Sequence, residues 1–525
     1  MVGLVDDYFK KFPINSRIRV HNDYGTVRYV GEVKGYPGQW VGVEWDDPSR
    51  GKHDGLTGGT RYFQTEHPTA GSMIRPEKIQ PFETLEEAVK NRYLIKDKNP
   101  VDENLMREAQ QYLHASVFEI VGMEKIAKKQ SQIEELTDIS VAYSCTNSTG
   151  DLSSFRSLKS IDLTSTLISN WRTVADITKQ IPTLTEINLG SNRLELPSEK
   201  DIFELEPSFQ HIKIIILRKC GLRNWEDVVL LARLWPNIEK LSLPENEIEN
   251  ITHFECKDIF RNLSVLDLQS NKLSNSEKIC KLGSIPTLNS LFLMENGIEQ
   301  IQLPPCDFDK RLSIFPSLKI LNLFHNPLSD ESAIFNELDK LPALNNLSKT
   351  FNEKTGYEEM VSKAVALVPQ LKVLNKVVIS PEQRRGAEYD IWKEYGLEWQ
   401  QTENNPEERM KFCMKYRAYP RLVEKYGSPA EFSIRPAVKV SNLIKIKIQN
   451  KLTGEVFEKK VPRKMSVQAL QGLIIKHFKL EESMPRLSYR DANHPTLVVE
   501  MENTSKNLDY YSIQEGDSVI VEWSK

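Results

Sequence analysis

The chain has 525 residues, of which 39% are hydrophobic and 27% charged, and its formal net charge is −4 at pH 7. This length suffices for about three domains of ~150 residues. The slightly negative charge argues against binding nucleic acid through bulk charge, and no run of ~18 apolar residues predicts a membrane span. The acidic start is unlike a secretory signal, and the six cysteines lack the close spacing of metal or redox motifs. We therefore expect a cytosolic protein with reduced thiols.

Residues 10–82 are predicted to form a small β-rich domain. Short runs of β-forming residues alternate there with glycine and proline, which is typical of a compact barrel. The run Trp40-Val-Gly-Val-Glu-Trp45 is followed by Gly51-Lys-His-Asp-Gly55 and then by Tyr62-Phe63. Glycine lets a backbone approach closely or turn with positive φ, aromatic rings supply an apolar wall, and the lysine and histidine supply donors for a carboxylate. The combination predicts a groove.

This run resembles the CAP-Gly domain, a β-rich module that clamps the acidic C-terminal tails of tubulin and related proteins. The resemblance implies that Lys52 and Arg75 meet the carboxylates of such a tail, and that His53 donates to one where most members carry Asn. It also implies an apolar slot lined by two tryptophans and a phenylalanine. The expected tail-binding residues are Trp40, Trp45, Lys52, His53, Asp54, Gly55, Phe63 and Arg75. The alternative is that the tryptophans and Phe63 form the core of the barrel and that Lys52 is solvated.

A charged segment, 83–117, is predicted to be a helical linker, and 118–380 a solenoid. The pattern L-x-x-L-x-L-x-x-N-x-L recurs there, for example as Leu184, Ile187, Leu189, Asn192, Leu194. The leucines point inward from a short strand and stack on their equivalents in neighbouring repeats. The Asn side chain satisfies backbone groups that the following turn buries. The pattern therefore predicts leucine-rich repeats, with Cys220 in one Asn slot and Lys349 replacing an inward leucine in a degraded copy.

The strand positions that flank the inner leucines face outward, and in the later repeats they are apolar. Adjacent strands lie ~4.8 Å apart, so these side chains predict one exposed patch, and such patches usually bind partners. The predicted partner-binding concave face consists of Val265, Phe292, Met294, Ile320 and Phe324. The alternative is that the segment Pro304–Phe315 folds over them.

Residues 381–438 are predicted to be a helical cap and connector, because Ser380 and Pro381 suit the start of a helix. Residues 439–525 contain a hairpin, an amphipathic helix and further strands, in an order that resembles the ubiquitin-like fold. The chain ends at Lys525 and lacks the Gly-Gly of a conjugatable modifier, so we expect a docking domain. The expected fold class is multidomain α+β: an N-terminal CAP-Gly β-barrel, a central leucine-rich-repeat solenoid of α/β type, and a C-terminal ubiquitin-like β-grasp.

The sequence contains no phosphate-binding loop, nucleophile elbow or metalloprotease helix. It therefore predicts no catalytic residue, cofactor or metal site, and we do not expect an enzyme. The order of the domains resembles the tubulin-folding cofactor E family. The resemblance implies a chaperone of the cytoplasm and cytoskeleton that binds α-tubulin and acts with tubulin-folding cofactors B, C and D. It would promote assembly or dissociation of the αβ-tubulin heterodimer. The alternative is a non-catalytic adaptor that binds microtubules or serves the ubiquitin pathway.

Overall fold

The computed structural model describes residues 11–94, 133–256, 259–351, 357–429, 443–479, 484–490, 498–511 and 513–523. The chain divides into two compact units. The first comprises the residues up to 305 together with 311–329 and 341–350, and the second comprises 306–310, 330–340 and 351 onwards. Residues 95–117 of the predicted linker, the predicted solenoid entry at 118–132 and the predicted connector residues 430–438 lie outside the described residues.

The first unit begins with a four-stranded antiparallel sheet whose strand order is β1-β2-β3-β6. The strands of this domain are β1 (Arg17–Val20), β2 (Asp23–Val33), β3 (Tyr36–Trp45), β4 (Leu56–Thr57), β5 (Thr60–Arg61) and β6 (Gly71–Ile74). Strands β4 and β5 form a separate hairpin. One face of the sheet carries the domain core, which includes Ile18, Val27, Val41 and Val43. This is the small β-rich domain that the sequence predicts.

Strand β7 (Glu83–Thr84) and helix α1 (Leu85–Tyr93) follow the barrel. Thr84 begins α1 with a capping box, which satisfies backbone N–H groups that a helix start leaves unpaired. Strand β7 pairs in parallel with β9 (Thr146–Ser148) of the solenoid, and the hydroxyl of Tyr93 accepts from the backbone N–H of Ser140 at 2.8 Å. The described part of the predicted linker is thus a helix held against the first repeats.

The solenoid is a row of parallel three-residue strands in continuous register. They are β8 (Asp138–Ser140), β10 (Ser160–Asp162), β11 (Glu186–Asn188), β12 (Ile214–Ile216), β13 (Lys240–Ser242), β14 (Val265–Asp267), β15 (Ser290–Phe292), β16 (Ile320–Asn322) and β17 (Asn346–Ser348). The return segments carry α2 (Trp171–Gln180), α3 (Glu199–Leu205), α4 (Trp225–Ala232) and α5 (Ser276–Ile279). The central residue of each strand is buried, so the predicted leucine-rich repeats are confirmed.

The Asn slots make the backbone contacts that the sequence predicts. Nδ2 of Asn271 donates to the carbonyls of Leu243 at 2.9 Å and Leu268 at 3.0 Å. Its Oδ1 accepts from the backbone N–H groups of Asn246 at 3.0 Å and Ile248 at 3.1 Å. Because each Asn bonds to the repeat before it, the turns are tied together along the solenoid. The slot residues Asn192, Asn246, Asn296 and Asn326 are likewise buried.

The second unit contains a helical region and a β-grasp domain. The helical region comprises α6 (Glu331–Leu338), α7 (Tyr357–Leu367), β18 (Val373–Leu374), β19 (Val377–Val378), α8 (Pro381–Glu394), α9 (Gly396–Gln401), α10 (Pro406–Lys415) and α11 (Tyr419–Tyr426). Ser380 caps α8 as predicted, with Pro381 in the first turn. Arg417, 1% exposed, lies beside the fully buried carboxylate of Asp339. Its guanidinium donates to the carbonyls of Cys306 at 3.1 Å and Lys310 at 2.6 Å, which anchors that segment.

The β-grasp domain has the strand order β21-β20-β24-β22-β23. Its elements are β20 (Leu443–Asn450), β21 (Val456–Pro462), α12 (Val467–Phe478), β22 (Arg486–Arg490), β23 (Val498–Glu500) and β24 (Ser518–Glu522). The first and last strands, β20 and β24, run parallel at the centre of the sheet, and α12 packs Val467, Leu470 and Ile474 into the core. This confirms the predicted ubiquitin-like fold.

Candidate functional site

The predicted tail-binding residues Phe63 and Gly55 meet on one face of strand β3. Gly42 lies on that face, and a Cβ atom there would stand 2.5 Å from Cε1 of Phe63. The Phe63 ring, 8% exposed, therefore packs directly on the strand backbone. Gly55 has φ +97°, and a Cβ there would stand 2.1 Å from the carbonyl oxygen of Phe63. Only glycine permits both the close approach and the turn, so the two glycines let the Phe63 ring lie against the strand where the sequence predicts the floor of a groove.

Trp40 and Arg75 lie together at the rim of this groove. Trp40 is two residues before Gly42 in β3 and so shares its face. The guanidinium of Arg75 stacks 3.8 Å from the centre of the Trp40 ring, and its Nη1 donates to the carbonyl of Gln39 at 3.2 Å. The ring of Tyr36 contacts Trp40 edge-on at 6.0 Å. Stacking on Trp40 holds the cation where an incoming carboxylate can pair with it.

His53 presents a neutral ring with a defined tautomer. Its Nδ1 accepts from the backbone N–H of Gly55 at 3.0 Å, so the proton of the neutral imidazole resides on Nε2. Nε2 lies 3.4 Å from Oγ1 of Thr57. Burial lowers the pKa of His53 below its usual value, which keeps the ring neutral at pH 7. The donor that the sequence predicts at this position is therefore the Nε2–H group.

Lys52 and Asp54 flank His53 and have different surroundings. Lys52 is exposed, and its backbone N–H is fixed by the carbonyl of Gly71 at 2.7 Å, so its ammonium group is accessible to a ligand. The carboxylate of Asp54 pairs with Arg61 at 2.8 Å, and the hydrogen bond from Arg61 lowers the pKa of Asp54. It also accepts from the N–H of Leu56 at 3.2 Å. The Asp54 carboxylate thus stabilises its own loop, whereas the Lys52 ammonium has no such fixed position.

Trp45 does not line the slot. It is five residues after Trp40 in the same strand, and side chains an odd number of positions apart point to opposite faces. Trp45 is 2% exposed and packs in the barrel core with Ile18 and Val43. The predicted assignment of Trp45 to the apolar slot is corrected to a core role, which is the alternative that the sequence left open for the tryptophans.

The sequence did not identify Tyr29 as part of this region, and it noted Tyr62 beside Phe63 without counting it among the tail-binding residues. Tyr29 lies directly opposite Gly42 in the β2–β3 register, and its ring stands 5.0 Å from that of Tyr62. The hydroxyl of Tyr62 accepts from the N–H of Lys34 at 2.8 Å. The two rings extend the aromatic surface beside the floor. Only the strand register places Tyr29 over Gly42, so no spacing along the chain could have revealed it.

The predicted concave patch lies on the solenoid strands and just after them. Val265 pairs with Ser290, which pairs in turn with Ile320. Phe292, Met294 and Phe324 are half-buried, as are Val265 and Ile320, whereas Ser290 is buried. Ile214 and Ile216 of β12 are also half-buried on the same row of strands, and the sequence analysis missed them.

The segment Pro304–Phe315 has contacts with a return segment of the solenoid and with Arg417. The N–H of Phe315 donates to the carbonyl of Gly283 at 3.1 Å, which lies on a return segment. Arg417 holds the carbonyls of Cys306 and Lys310. None of these contacts is to a residue of the predicted concave patch.

The barrel is attached to the solenoid within the first unit. The hydroxyl of Tyr24 donates to the carbonyl of Ser165 at 3.0 Å, and Arg193 pairs with Asp46 at 3.4 Å. The guanidinium of Arg19 donates to the carbonyl of Tyr143. These solenoid residues lie at the turns that follow the strands, where Tyr143 and Ser165 have positive φ. The groove and the concave patch therefore belong to one compact unit.

Family models match two parts of the chain: a CAP-Gly domain at residues 14–79 and a ubiquitin-like domain at residues 443–522. The chain is 51% identical over 523 residues to tubulin-specific chaperone E of Drosophila melanogaster, covering 99% of this chain and 100% of that protein. It is 36% identical over 530 residues to tubulin-specific chaperone E of Bos taurus, covering 97% and 98%. It is also similar to the solved C-terminal ubiquitin-like domain of mouse tubulin-specific chaperone E, with 29% identity, a TM-score of 0.15, and coverage of 17% of this chain and 96% of that one.

The fold defines a multidomain protein that joins a CAP-Gly barrel, a leucine-rich-repeat solenoid and a ubiquitin-like domain. With relatives this similar over nearly the whole length, the chain belongs to the tubulin-specific chaperone E family. No catalytic family is among these matches. Within the described residues, no helix is long and apolar enough to cross a membrane, and no cluster of His, Cys, Asp and Glu could hold a metal ion.

Proposed function

We propose that this chain is a tubulin chaperone that holds the acidic tail of α-tubulin in the CAP-Gly groove and the body of α-tubulin on the concave patch. With tubulin-folding cofactors B, C and D it promotes assembly or dissociation of the αβ-tubulin heterodimer. Membership of the tubulin-specific chaperone E family supports the chaperone role. A cytoplasmic, cytoskeleton-associated location is part of this proposal.

The groove is the observation that carries the proposal. An acidic peptide that ends in an aromatic residue needs an apolar seat for its ring and donors for its carboxylates. Phe63 supplies the seat, and the donors are the exposed ammonium of Lys52, the guanidinium of Arg75 on Trp40 and the Nε2–H of His53. Charge-assisted hydrogen bonds to carboxylates are the stronger kind, so these groups favour a negatively charged chain terminus over a neutral one.

Because the groove and the concave patch lie on one compact unit, two individually weak contacts can together hold an α-tubulin subunit. Once the tail is bound, the body of the same subunit meets the concave patch at a high effective concentration, and linked binding of this kind exceeds either contact alone by ~10²–10⁴-fold. Tyr24 of the barrel contacts Ser165 of the solenoid, and Arg193 of the solenoid pairs with Asp46 of the barrel. These contacts hold the barrel, and with it the groove, against the solenoid that carries the concave patch. Binding energy that favours one geometry of the subunit then shifts the equilibrium of the heterodimer interface.

The first experiment tests the groove. Fluorescence anisotropy would measure binding of a labelled α-tubulin tail peptide to the full chain, with a peptide that lacks the last few residues for comparison. Arg75→Ala should weaken binding by about tenfold, because one charge-assisted hydrogen bond contributes ~1.5 kcal/mol or more. Lys78→Ala, a change of an exposed lysine in the same domain, serves as the matched control. Equal binding of the trimmed and untrimmed peptides would refute the groove assignment.

A second experiment separates the chaperone from a non-catalytic adaptor. The purified chain is mixed with αβ-tubulin, alone and with cofactor B or D, and the heterodimer content is followed by gel filtration. A chaperone changes how the subunits partition between dimer and complex. An adaptor co-elutes with intact heterodimer and leaves its amount unchanged, which would contradict the proposal.

A further inference from the structure

The second unit contains a cavity of about 610 Å³ whose lining comes from α7, the β18–β19 hairpin, α8 and the loop at residues 502–505. One wall is apolar, and two of its valines, Val377 and Val378, are 59% and 71% exposed. Helix α8 borders the space with two small residues, Gly386 and Ala387, and with the polar residues Glu382, Gln383 and Asp390. The remaining apolar lining residues include Val361, Val365, Leu374 and Ile379.

The polar side of this cavity is acidic. Its carboxylates are Glu358, Glu382, Asp390 and Glu502, and none of the described residues that line it is Lys or Arg. A cavity of this volume with apolar walls and a few polar groups has the size of a ligand site. Its charge favours a cationic occupant.

Glu502 has an unused acceptor at this place. Its Oε1 lies 3.8 Å from Arg385, whereas Oε2 is buried and has no hydrogen-bond partner within the described structure. A Cβ atom at Gly386 would stand 3.1 Å from Oε2, which locates that oxygen against the bare backbone of α8. Buried polar atoms are usually paired, so an unpaired carboxylate oxygen beside an open cavity marks a position for a donor.

Burial raises the pKa values of the two inner carboxyl groups. Burial and then a side-chain hydrogen bond with Glu500 raise the pKa of Glu502 to about 7, while Arg385 opposes the shift and the charges of Glu500 and Glu382 add to it. Burial raises the pKa of Asp390 to about 6, opposed by Lys506 and Lys393 and aided by Glu394. A bound cation would stabilise both ionised forms.

We propose that this cavity binds an extended peptide segment of a partner protein in which Lys or Arg alternates with apolar residues. The apolar side chains lie against Val377 and Val378, and a cationic side chain reaches Oε2 of Glu502. The site selects the opposite charge from the CAP-Gly groove, so an acidic tail is repelled here. The two sites therefore distinguish two kinds of partner segment on one chain.

The test uses the full chain and a labelled peptide of four Val-Lys pairs, with binding measured by anisotropy at low ionic strength. The double variant Glu358→Gln, Glu382→Gln should weaken binding by about tenfold, since each exposed ion pair contributes a factor of a few. Glu424→Gln, an exposed carboxylate of α11, is the matched control and should bind like the wild type. Unchanged affinity of the double variant would overturn the proposal.

Two further measurements distinguish binding in this cavity from a general attraction of cationic peptides to the acidic chain. A peptide of four Ser-Lys pairs has the same charge without apolar side chains and should bind at least several-fold more weakly, because the apolar contacts are lost. Hydrogen exchange of the wild-type chain should slow at residues 377–387 when the Val-Lys peptide is present. Equal binding of the Ser-Lys peptide, or exchange at 377–387 that does not change, would each show that the cavity is not the site.

Discussion

The contribution of the Asn slot to the stability of the solenoid can be tested by two opposite substitutions. Cys220 occupies one slot and can be replaced by Asn, and Asn271 occupies another and can be replaced by Cys. Sγ of Cys220 donates to the carbonyls of Leu189 at 3.3 Å and Arg218 at 3.5 Å, which imitates the amide donors of an Asn. A thiol is only a weak acceptor, and the backbone N–H of Asn192 donates to the carbonyl of Leu189 at 3.3 Å instead. We expect Cys220→Asn to stabilise the solenoid and Asn271→Cys to destabilise it.

The magnitude follows from the contacts of Asn271. Cysteine keeps weak versions of the bonds that Nδ2 donates to backbone carbonyls and loses the two that Oδ1 accepts from Asn246 and Ile248. At ~1 kcal/mol net for each lost bond, Asn271→Cys costs about 2 kcal/mol. That cost corresponds to a ~30-fold increase in the local opening equilibrium. Cys220→Asn should raise the free energy of unfolding by only about 1 kcal/mol. The gain from the new hydrogen bonds is reduced because the slot is packed around a smaller side chain.

Native-state hydrogen exchange measures this opening directly. In Asn271→Cys, the amides of Asn246 and Ile248 should exchange ~30-fold faster. The amide of Ile298, which donates to Asn326 at 3.1 Å, is the internal control and should change far less. If the exchange of Asn246 and Ile248 stayed at the wild-type rate, or if Cys220→Asn accelerated exchange in its own repeat, the hydrogen-bond reasoning would be refuted.

Burial lowers the pKa of His53 in the folded protein below the unfolded value of ~6.5. The stability that the neutral ring contributes is therefore fully present above that unfolded pKa, and it is lost as the pH falls through the lower folded pKa. The melting temperature of the wild type should therefore fall relative to His53→Asn between about pH 7 and about pH 5, and parallel curves would contradict this. Arg417→Met should cost about 3 kcal/mol, because it removes the donors to the carbonyls of Cys306 and Lys310, while Arg421 still pairs with the buried carboxylate of Asp339 at 2.8 Å. The check is faster proteolysis at residues 306–310, and unchanged cleavage would argue against it. Phe292→Asp with Phe324→Asp should abolish binding of α-tubulin in a pull-down while the melting temperature barely moves, because both rings are half-buried; a large drop would place them in the core.

Features that depend on local spacing could be predicted from the chain itself. The recurring inward leucines and the Asn slots, such as Asn192, predicted the solenoid. Every repeat must bury the same positions and must satisfy the backbone groups of the same turn. The capped start of α8 at Ser380 was predicted for the same kind of reason. The glycine-rich loop around His53 indicated a groove, since the residue types needed for close approach and for binding a carboxylate occur within a few positions.

The arrangement of side chains across elements was decided by the tertiary structure. Trp45 lies in the core and Trp40 at the rim because the strand alternates its faces. Tyr29 covers Gly42 only through the register of two strands, and Arg417 reaches Cys306 over more than a hundred residues of chain. The amino-acid sequence by itself determined which segments form barrel, repeat and β-grasp, because periodicity is a local property. Pairing register and packing over long distances decided which side chains share a groove or a cavity, since those depend on residues far apart in the chain.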